Sequence, residues 1–274
     1  MSKLIIPTYQ TGFARHAAES RAPDLWRGLV AAYLPFLGPT GLTLRDWSGY
    51  QHHGTLTNMA LTDWTISGEG MSLAFDMDGG IGTYDYINTG TYCHNPQGTI
   101  VWMQYPHTAF DEGVIHGLWG ESNGESAPTL EFQLYSNGDI YAGFYNTGQD
   151  SRVIIAATAA NWPQYEWSIY AFTWQSGGYT RLYHRGIEIG NNGGGTIVQT
   201  NMETMRIGHR GSRLIADVGF DGQIGFFLVY NRALYASELM QQHTDPYAMW
   251  EVARRPIWKA PVVSEYKPQI MMLV

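Results

Sequence analysis

The chain has 274 residues, of which 44% are hydrophobic and 14% aromatic, and its formal net charge is −8. An acidic balance argues against nucleic-acid binding, because phosphate contacts require Lys and Arg side chains. The single cysteine excludes an intramolecular disulfide, and no run approaches the ~20 apolar residues that cross a bilayer.

The first segment, residues 1–27, has no sustained hydrophobic period and is interrupted by Pro7, Gly12 and Pro23. It predicts an extended arm. No long apolar stretch stands near the start, so we expect a chain made in the cytoplasm without a signal peptide. Residues 28–244 carry eight Arg against nineteen Asp and Glu, a net charge of −11, whereas both flanking segments are basic overall. We therefore expect one acidic body between two arms.

The body contains many short strand-like segments separated by turn residues, and the chain holds 32 glycines. Such regular spacing is typical of an all-β, two-sheet antiparallel sandwich. The predicted strands are residues 28–36, 72–75, 84–87, 99–105, 113–119, 129–135, 139–145, 152–157, 165–174, 180–184, 205–207 and 223–230.

The clearest hairpin joins residues 129–135 to residues 139–145. The Asn137-Gly138 pair favours a two-residue turn, but that register mixes apolar and polar side chains on both faces. A three-residue loop with Gly138 in the left-handed conformation keeps the apolar side chains together. We therefore predict the pairs Leu134–Ile140, Phe132–Ala142 and Leu130–Phe144.

The run from Gln223 to Tyr230 is apolar on both faces of a period-2 pattern. A strand of this kind is covered on both sides, so we predict that it lies in the middle of its sheet. A short helix is expected to begin near Ala236, with Ser237 in its first turn.

Residues 245–274 are interrupted by four prolines and yet hold about ten large apolar side chains. Proline at this spacing forbids a long helix and favours extended chain. Exposed, such a segment would promote aggregation, so we expect it to pack largely on other chains. The predicted partner-binding residues are Tyr247, Trp250, Arg254, Arg255 and Trp258.

Three stretches resemble laminin-G-like jelly-roll modules, which have the concanavalin A-like lectin/glucanase fold. They are residues 46–58 (DWSGYQHHGTLTN), residues 166–186 with their W…AFTW…LYHRG pattern, and residues 206–239 with FDGQI…YNRAL…EL. They occur in family order and together span most of residues 28–244. The resemblance implies a two-sheet jelly-roll sandwich.

The same resemblance implies that loop carboxylates can hold a structural Ca²⁺. We expect that the protein requires no cofactor. Asp46 and Asp221 are the first candidates, and Asp76 with Asp78 are the second. Carboxylate oxygens suit this hard cation. The alternative is that Asp46 and Asp221 accept hydrogen bonds from the backbone of their own turns.

Sugar binding requires an exposed aromatic ring beside amide or carboxylate groups. Four tryptophans in or near predicted loops are candidates for such a site, although packing in the core is the alternative for each: Trp47, Trp64, Trp119 and Trp162.

Hydrolysis is not expected. Glycanases of this fold carry an E-x-D-x-x-E strand motif, which is missing here. Asp76 and Asp78 have the i, i+2 spacing that brings two carboxylates together, but they stand at a strand end beside glycines. We predict no catalytic residues and a non-enzymatic protein.

The ending DPYAMW…RRP, residues 245–256, resembles the tails that follow such modules in tailed-phage virion proteins. We therefore predict a structural virion component, in the capsid or tail, with a lectin-like body anchored by its arms. Its partners are then other virion proteins or copies of itself. A carbohydrate-binding adhesin that recognises a cell-surface glycan is the alternative, and a glycoside hydrolase is third.

Overall fold

The structure is a computed structural model that describes residues 22–77, 83–91, 93, 95–122, 129–146, 149–193, 204–210 and 219–250. Its strands are β1 Leu29–Tyr33, β2 Thr43–Leu44, β3 Gly54–Thr57, β4 Trp64–Ser67, β5 Gly70–Phe75, β6 Tyr86–Asn88, β7 Gln97–Pro106, β8 His116–Ser122, β9 Thr129–Leu134, β10 Asp139–Asn146, β11 Gln149–Asp150, β12 Val153–Ala156, β13 Ser168–Gln175, β14 Tyr179–His184, β15 Ile187–Gly193, β16 Arg206–Ile207 and β17 Gly222–Tyr230. The α-helices among these residues are α1 Pro23–Trp26 and α2 Ala236–Thr244, and 3-10 turns occur at Pro35–Leu37 and Leu61–Asp63.

The strands form two antiparallel sheets that face one another. The first sheet has the order β15-β14-β13-β7-β17-β5-β4, with β1 also paired to β17. The second has the order β11-β10-β9-β8-β16-β6-β3-β2, with β12 paired to β10. Side chains from both inner faces form one large hydrophobic core. The predicted all-β sandwich is confirmed.

Strand β17 lies in the middle of the first sheet, between β7 and β5. Its residues Ile224, Phe227 and Val229 join the core between the sheets. Phe226 and Leu228 face the other way and join a second cluster on the outside of the sheet. Both faces are therefore covered, as the two-sided apolar pattern predicts.

The β9–β10 hairpin has the register that the buried face favours. Leu134 lies opposite Ile140, and Phe132 lies opposite Ala142. Gly138 has a φ of 81°, the left-handed conformation that a three-residue loop needs. The apolar residues of both strands consequently point into the core.

The outer face of the first sheet is covered by residues that the sequence assigned to arms. Leu25 and Trp26 of α1 pack there together with Met249 and Trp250. The Trp26 and Trp250 rings meet edge to face with centroids 4.8 Å apart. The prediction that the final segment packs largely on other chains is therefore wrong for residues 248–250, because the two-sided strand β17 needs a cover on this face.

Neither α-helix of the described chain has the length and apolar character needed to cross a membrane.

Candidate functional site

The tryptophans predicted for sugar binding do not form a platform. Trp119 is 0% exposed and Trp162 is 1% exposed, and both belong to the inner core. Trp64 is buried too, and its Nε1 donates to the carbonyl of Gly41 at 3.0 Å. A ring without free surface cannot stack on a ligand, so the expectation that these three side chains are exposed is wrong.

Trp47 is half-buried against the outer cluster. The guanidinium of Arg45 lies 4.5 Å from the centroid of its ring. One face of this ring is therefore occupied by a cation, and the side chain serves packing.

The Asp46 carboxylate organises the turn between β2 and β3 and ties it to β1. Its Oδ1 accepts hydrogen bonds from the backbone N–H groups of Ala32 (2.8 Å) and Ser48 (2.9 Å). Its Oδ2 accepts from the Ser48 hydroxyl (2.8 Å) and the His52 N–H (3.0 Å). Both oxygens are thus engaged within the turn, which supports the alternative in which this residue caps local backbone.

Asp221 cannot share an ion with Asp46. Its Oδ1 lies 3.0 Å from His107 Nδ1, and its Oδ2 accepts from the Thr108 hydroxyl at 3.1 Å. Asp46 is bonded to Ala32, which pairs with Leu228, seven residues along the chain from Asp221. At ~3.3 Å per residue the two carboxylates are about 23 Å apart.

The second pair of metal candidates is only partly described. The backbone N–H of Asp76 donates to Asp85 Oδ2 at 3.2 Å, and Asp78 lies outside the described residues. Within the described chain, no group of three His, Cys, Asp or Glu side chains is arranged to hold a metal ion.

The predicted partner-binding residues fall on both sides of the boundary of the described chain. Tyr247 packs edge to face on Phe36, with ring centroids 4.7 Å apart, and its hydroxyl donates to the Glu69 carbonyl at 3.1 Å. Burial raises the pKa of Tyr247 to about 12. Arg254, Arg255 and Trp258 lie outside the described residues, so their predicted role stays a prediction.

A cleft that the sequence analysis missed lies on the outer face of the first sheet. We call it the Tyr179 cleft. It has a volume of about 260 Å³ and is formed by the ends of β13 and β14 and the start of α2. Its principal lining residues are Thr173, Gln175, Tyr179, Arg181, Tyr183 and Tyr235.

Strand alternation places the polar side chains at this cleft. Tyr179, Arg181 and Tyr183 are two residues apart on β14 and share one face. Arg181 lies opposite Thr173 of β13, which also lines the cleft. Gly177, with a φ of 71°, allows the tight turn that brings Gln175 beside Tyr179.

The cleft combines exposed aromatic rings with a cation. Tyr179 is 54% exposed and Tyr235 is 69% exposed. The Arg181 guanidinium lies 5.4 Å from the Tyr179 ring centroid and 3.6 Å from Glu188 Oε2. Its hydrogen bond with Tyr183 raises the pKa of Arg181, so the charge persists at any physiological pH. Such a site can stack on an apolar ring face and bind a carboxylate.

Tyrosines rather than tryptophans therefore provide the accessible rings. The sequence pattern that could have located this cleft is the i, i+2 spacing of Tyr179, Arg181 and Tyr183 directly after the Gly177-Gly178 turn. That pattern predicts which side chains share a face, but Tyr235 joins them only because β17 returns the chain to the same end of the sheet.

A model of the concanavalin A-like lectin/glucanases superfamily, of the laminin G type, matches residues 78–240. The match covers more than half of the chain, which therefore belongs to this superfamily. No curated protein sequence matches the chain.

Solved structures share the fold at low sequence identity. Trypanosoma rangeli sialidase in complex with 2,3-difluorosialic acid is 15% identical with a TM-score of 0.57, and the match covers 81% of this chain and 34% of that one. The binding domain of botulinum neurotoxin DC in complex with SialylT is 10% identical with a TM-score of 0.60 and coverage of 80% and 51%. The same toxin domain bound to rat synaptotagmin II is 10% identical with a TM-score of 0.61 and coverage of 80% and 52%. This chain therefore spans about a third to a half of these proteins.

Proposed function

We propose that this protein is a non-enzymatic, lectin-like binding protein that takes a glycan bearing a carboxylate in the Tyr179 cleft. The observation that carries the proposal is that the Arg181 guanidinium lies in a cleft lined by two exposed tyrosines, 5.4 Å from the ring centroid of Tyr179. The rings stack on the C–H face of a pyranose, and the guanidinium pairs with the carboxylate. The Gln175 amide at the rim supplies hydrogen bonds to hydroxyl groups.

Two of the structural neighbours support a ligand of this class. The sialidase was solved with a sialic acid derivative, and the toxin domain was solved with SialylT. The body of this protein has a net negative charge, so it does not attract anions over its whole surface. An anion that binds in the cleft is therefore bound by the Arg181 guanidinium specifically.

The experiment is a titration of the protein with a sialylated oligosaccharide and with the same oligosaccharide lacking sialic acid. We expect binding of the sialylated form to fall at least about tenfold in Arg181→Gln and in Tyr235→Ala, since a lost contact of 1.4 kcal/mol is a factor of ten. Tyr50→Ala is the control, because Tyr50 is 58% exposed and lies outside the cleft. Equal binding by wild type and by both cleft variants would refute the proposal.

We also propose that the body is anchored to a larger assembly, as the resemblance of residues 245–256 to phage virion tails suggests. This proposal is supported by the sequence beyond Trp250, which is basic, is interrupted by prolines and contains Arg254, Arg255 and Trp258. The test is removal of residues 251–274. We expect the shortened protein to keep its melting temperature and lose incorporation into particles, as seen by negative-stain imaging. Full incorporation of the shortened protein would exclude anchoring by this segment.

A further inference from the structure

A second aromatic surface lies at the far end of β7 and β13 from the Tyr179 cleft. We call it the Tyr165 patch, and it consists of Tyr105, His107, Tyr165 and Trp167. The Tyr165 ring centroid lies 6.3 Å from that of Tyr105 and 6.1 Å from that of His107. Tyr105 in turn lies 5.3 Å from Trp167. The four rings form one contiguous cluster, in which the planes of neighbouring rings are tilted by 32° to 85°.

Tyr165 is held in a conformation that a bulky side chain rarely adopts. Its φ is 56°, in the left-handed region, and its side chain is 61% exposed. The backbone is fixed by the Tyr165 N–H donating to the Pro106 carbonyl at 2.9 Å. The neighbouring Gln164 amide also donates to the His107 carbonyl, at 2.6 Å. Burial of the ring cannot offset the strain, because most of the ring is in water, and strained exposed residues of this kind cluster at binding sites.

A carboxylate borders the Tyr165 patch. Asp221 is partly exposed, and His107 Nδ1 lies 3.0 Å from its Oδ1. The hydroxyl of Thr108 donates to its other oxygen at 3.1 Å. These two contacts fix the orientation of the carboxylate and leave lone pairs free, since each oxygen can accept two hydrogen bonds. A fixed carboxylate near the exposed Tyr165 ring favours a ligand with hydroxyl groups and disfavours an anion.

From this geometry we propose that the Tyr165 patch is a second carbohydrate site, which binds a neutral pyranose. The sugar stacks its C–H face on Tyr165 and donates hydroxyl hydrogen bonds to Asp221. The patch is separate from the Tyr179 cleft, because Ser168 pairs with Gln104 at one end of the β7–β13 ladder and Gln175 pairs with Gln97 at the other. Seven residues of strand place the two sites about 23 Å apart. The proposal does not depend on what the cleft binds.

The test is saturation-transfer NMR with methyl β-galactoside and methyl β-glucoside as neutral probes. Three substitutions of Tyr165 separate the contribution of its ring to binding from the effect of its positive φ on stability. We expect Tyr165→Phe to keep affinity within about threefold, and both Tyr165→Ala and Tyr165→Gly to lose at least about tenfold. Because glycine adopts a positive φ freely, Tyr165→Gly should melt about 2–4 °C above Tyr165→Ala.

The Tyr179 cleft provides the matched control. Arg181→Gln should leave binding of the neutral probes unchanged, and Tyr165→Gly should leave binding of the sialylated oligosaccharide unchanged. The proposal is overturned if neither neutral probe shows saturation transfer with the wild-type protein, or if Tyr165→Gly retains their binding. It is also overturned if Arg181→Gln abolishes binding of both ligand classes, since the sugars then share one site.

Discussion

Phe132 joins the inner faces of the two sheets, since its ring lies 4.5 Å from that of Trp102 and 5.7 Å from that of Tyr170. Two tryptophans from other parts of the chain also contact it. The sequence predicts a strand that ends at Trp119, but β8 continues to Ser122 and carries Trp119 in mid-strand. A register shift between Gly117 and Trp119 turns the ring opposite Phe132 and into the core. Trp162 does lie in a loop, yet its ring stacks 6.1 Å from Phe132. Which distant strand lies beneath a loop cannot be read from neighbouring residues.

A buried carboxyl group inside the sandwich gives the protein a pH dependence. Glu121 is paired opposite Leu130, so its side chain enters the interior, where the Cys93 N–H donates to its Oε1 at 2.6 Å. Burial raises the pKa of Glu121 to about 8, although the hydrogen bonds from Cys93 act in the other direction. Burial, together with the nearby Glu121, also raises the pKa of the Cys93 thiol well above its ordinary value.

We expect the difference in unfolding free energy between Glu121→Gln and the wild type to favour the variant more at pH 8 than at pH 5. Between pH 4.5, the ordinary pKa of this group, and about pH 8, the folded protein holds a proton that the unfolded chain releases. The stability that this group contributes is therefore complete below pH 4.5 and is lost as the pH rises through about 8. Urea unfolding at pH 5 and pH 8 should show a variant-minus-wild-type difference that grows by about 2 kcal/mol or more.

Glu69→Gln, a change on an exposed turn, is the control and should show no such growth. Burial also raises the pKa of Asp85, to about 6, so a shallower slope of the same sign remains in the Glu121→Gln variant. A difference that is constant from pH 5 to pH 8 would show that Glu121 is ionised in the folded protein throughout.

Carboxylates on the second sheet bear on the enzyme hypothesis. Arg152 bridges Glu131 and Asp150, with contacts of 3.0 Å and 2.7 Å. Burial of Asp150 opposes ionisation, but the hydrogen bonds from Arg152 prevail and lower its pKa. A glycosidase needs one carboxyl group that stays protonated to act as an acid, whereas the hydrogen bonds from Arg152 hold the Asp150 carboxyl group in its charged form.

We therefore expect no release of reducing ends from β-glucans or from sialylated oligosaccharides, measured over hours with concentrated protein. The informative controls are Glu131→Gln and Asp150→Asn, which remove one carboxylate each and keep its approximate shape. Hydrolysis by the wild-type protein that either substitution abolishes would identify this pair as catalytic and overturn the expectation.

At the scale of elements, the alternation of apolar and polar side chains along the sequence predicts those strands in which one face, or both, is clearly apolar. The β9–β10 register follows from keeping Leu134 and Ile140 on one face. The two apolar faces of β17 predict its central position in the sheet. The packing of residues 245–250 on the outer face of the first sheet could not be predicted from such a pattern. Residues 245–250 have no strand or helix period, and only the existence of an otherwise bare apolar face explains why they pack on it.

Removal of residues 245–274 should destabilise the body. The deletion takes away Met249 and Trp250, which are fully buried, and exposes Trp26 and Leu25 beneath them. Loss of a buried Trp alone typically costs about 3–5 kcal/mol. We expect the melting temperature to fall by about 6 °C or more. Removal of residues 251–274 is the matched control and should have little effect. Equal melting temperatures for the two truncations would mean that the outer cover contributes little.

At the scale of the whole molecule, the fold was predictable from three motifs in family order and the spacing of turns. The binding surfaces were not, because each is assembled from segments far apart in sequence. The Tyr179 cleft joins β13 and β14 to the start of α2, and the Tyr165 patch joins the end of β7 to the turn before β13. Local patterns place side chains on faces, whereas sheet order decides which faces become neighbours.

The edge-to-face contact between Trp26 and Trp250 has a topological consequence. The described chain enters and leaves the sandwich at one place, so a short linker from residue 22 to residue 250 can close the body into a ring. A circular permutant opened at the exposed turn around Ser176 is expected to fold, because compact domains with adjacent ends tolerate such rearrangement. For the same reason the body can be spliced into a surface loop of an unrelated host protein, which would then display both aromatic surfaces without offering a free end.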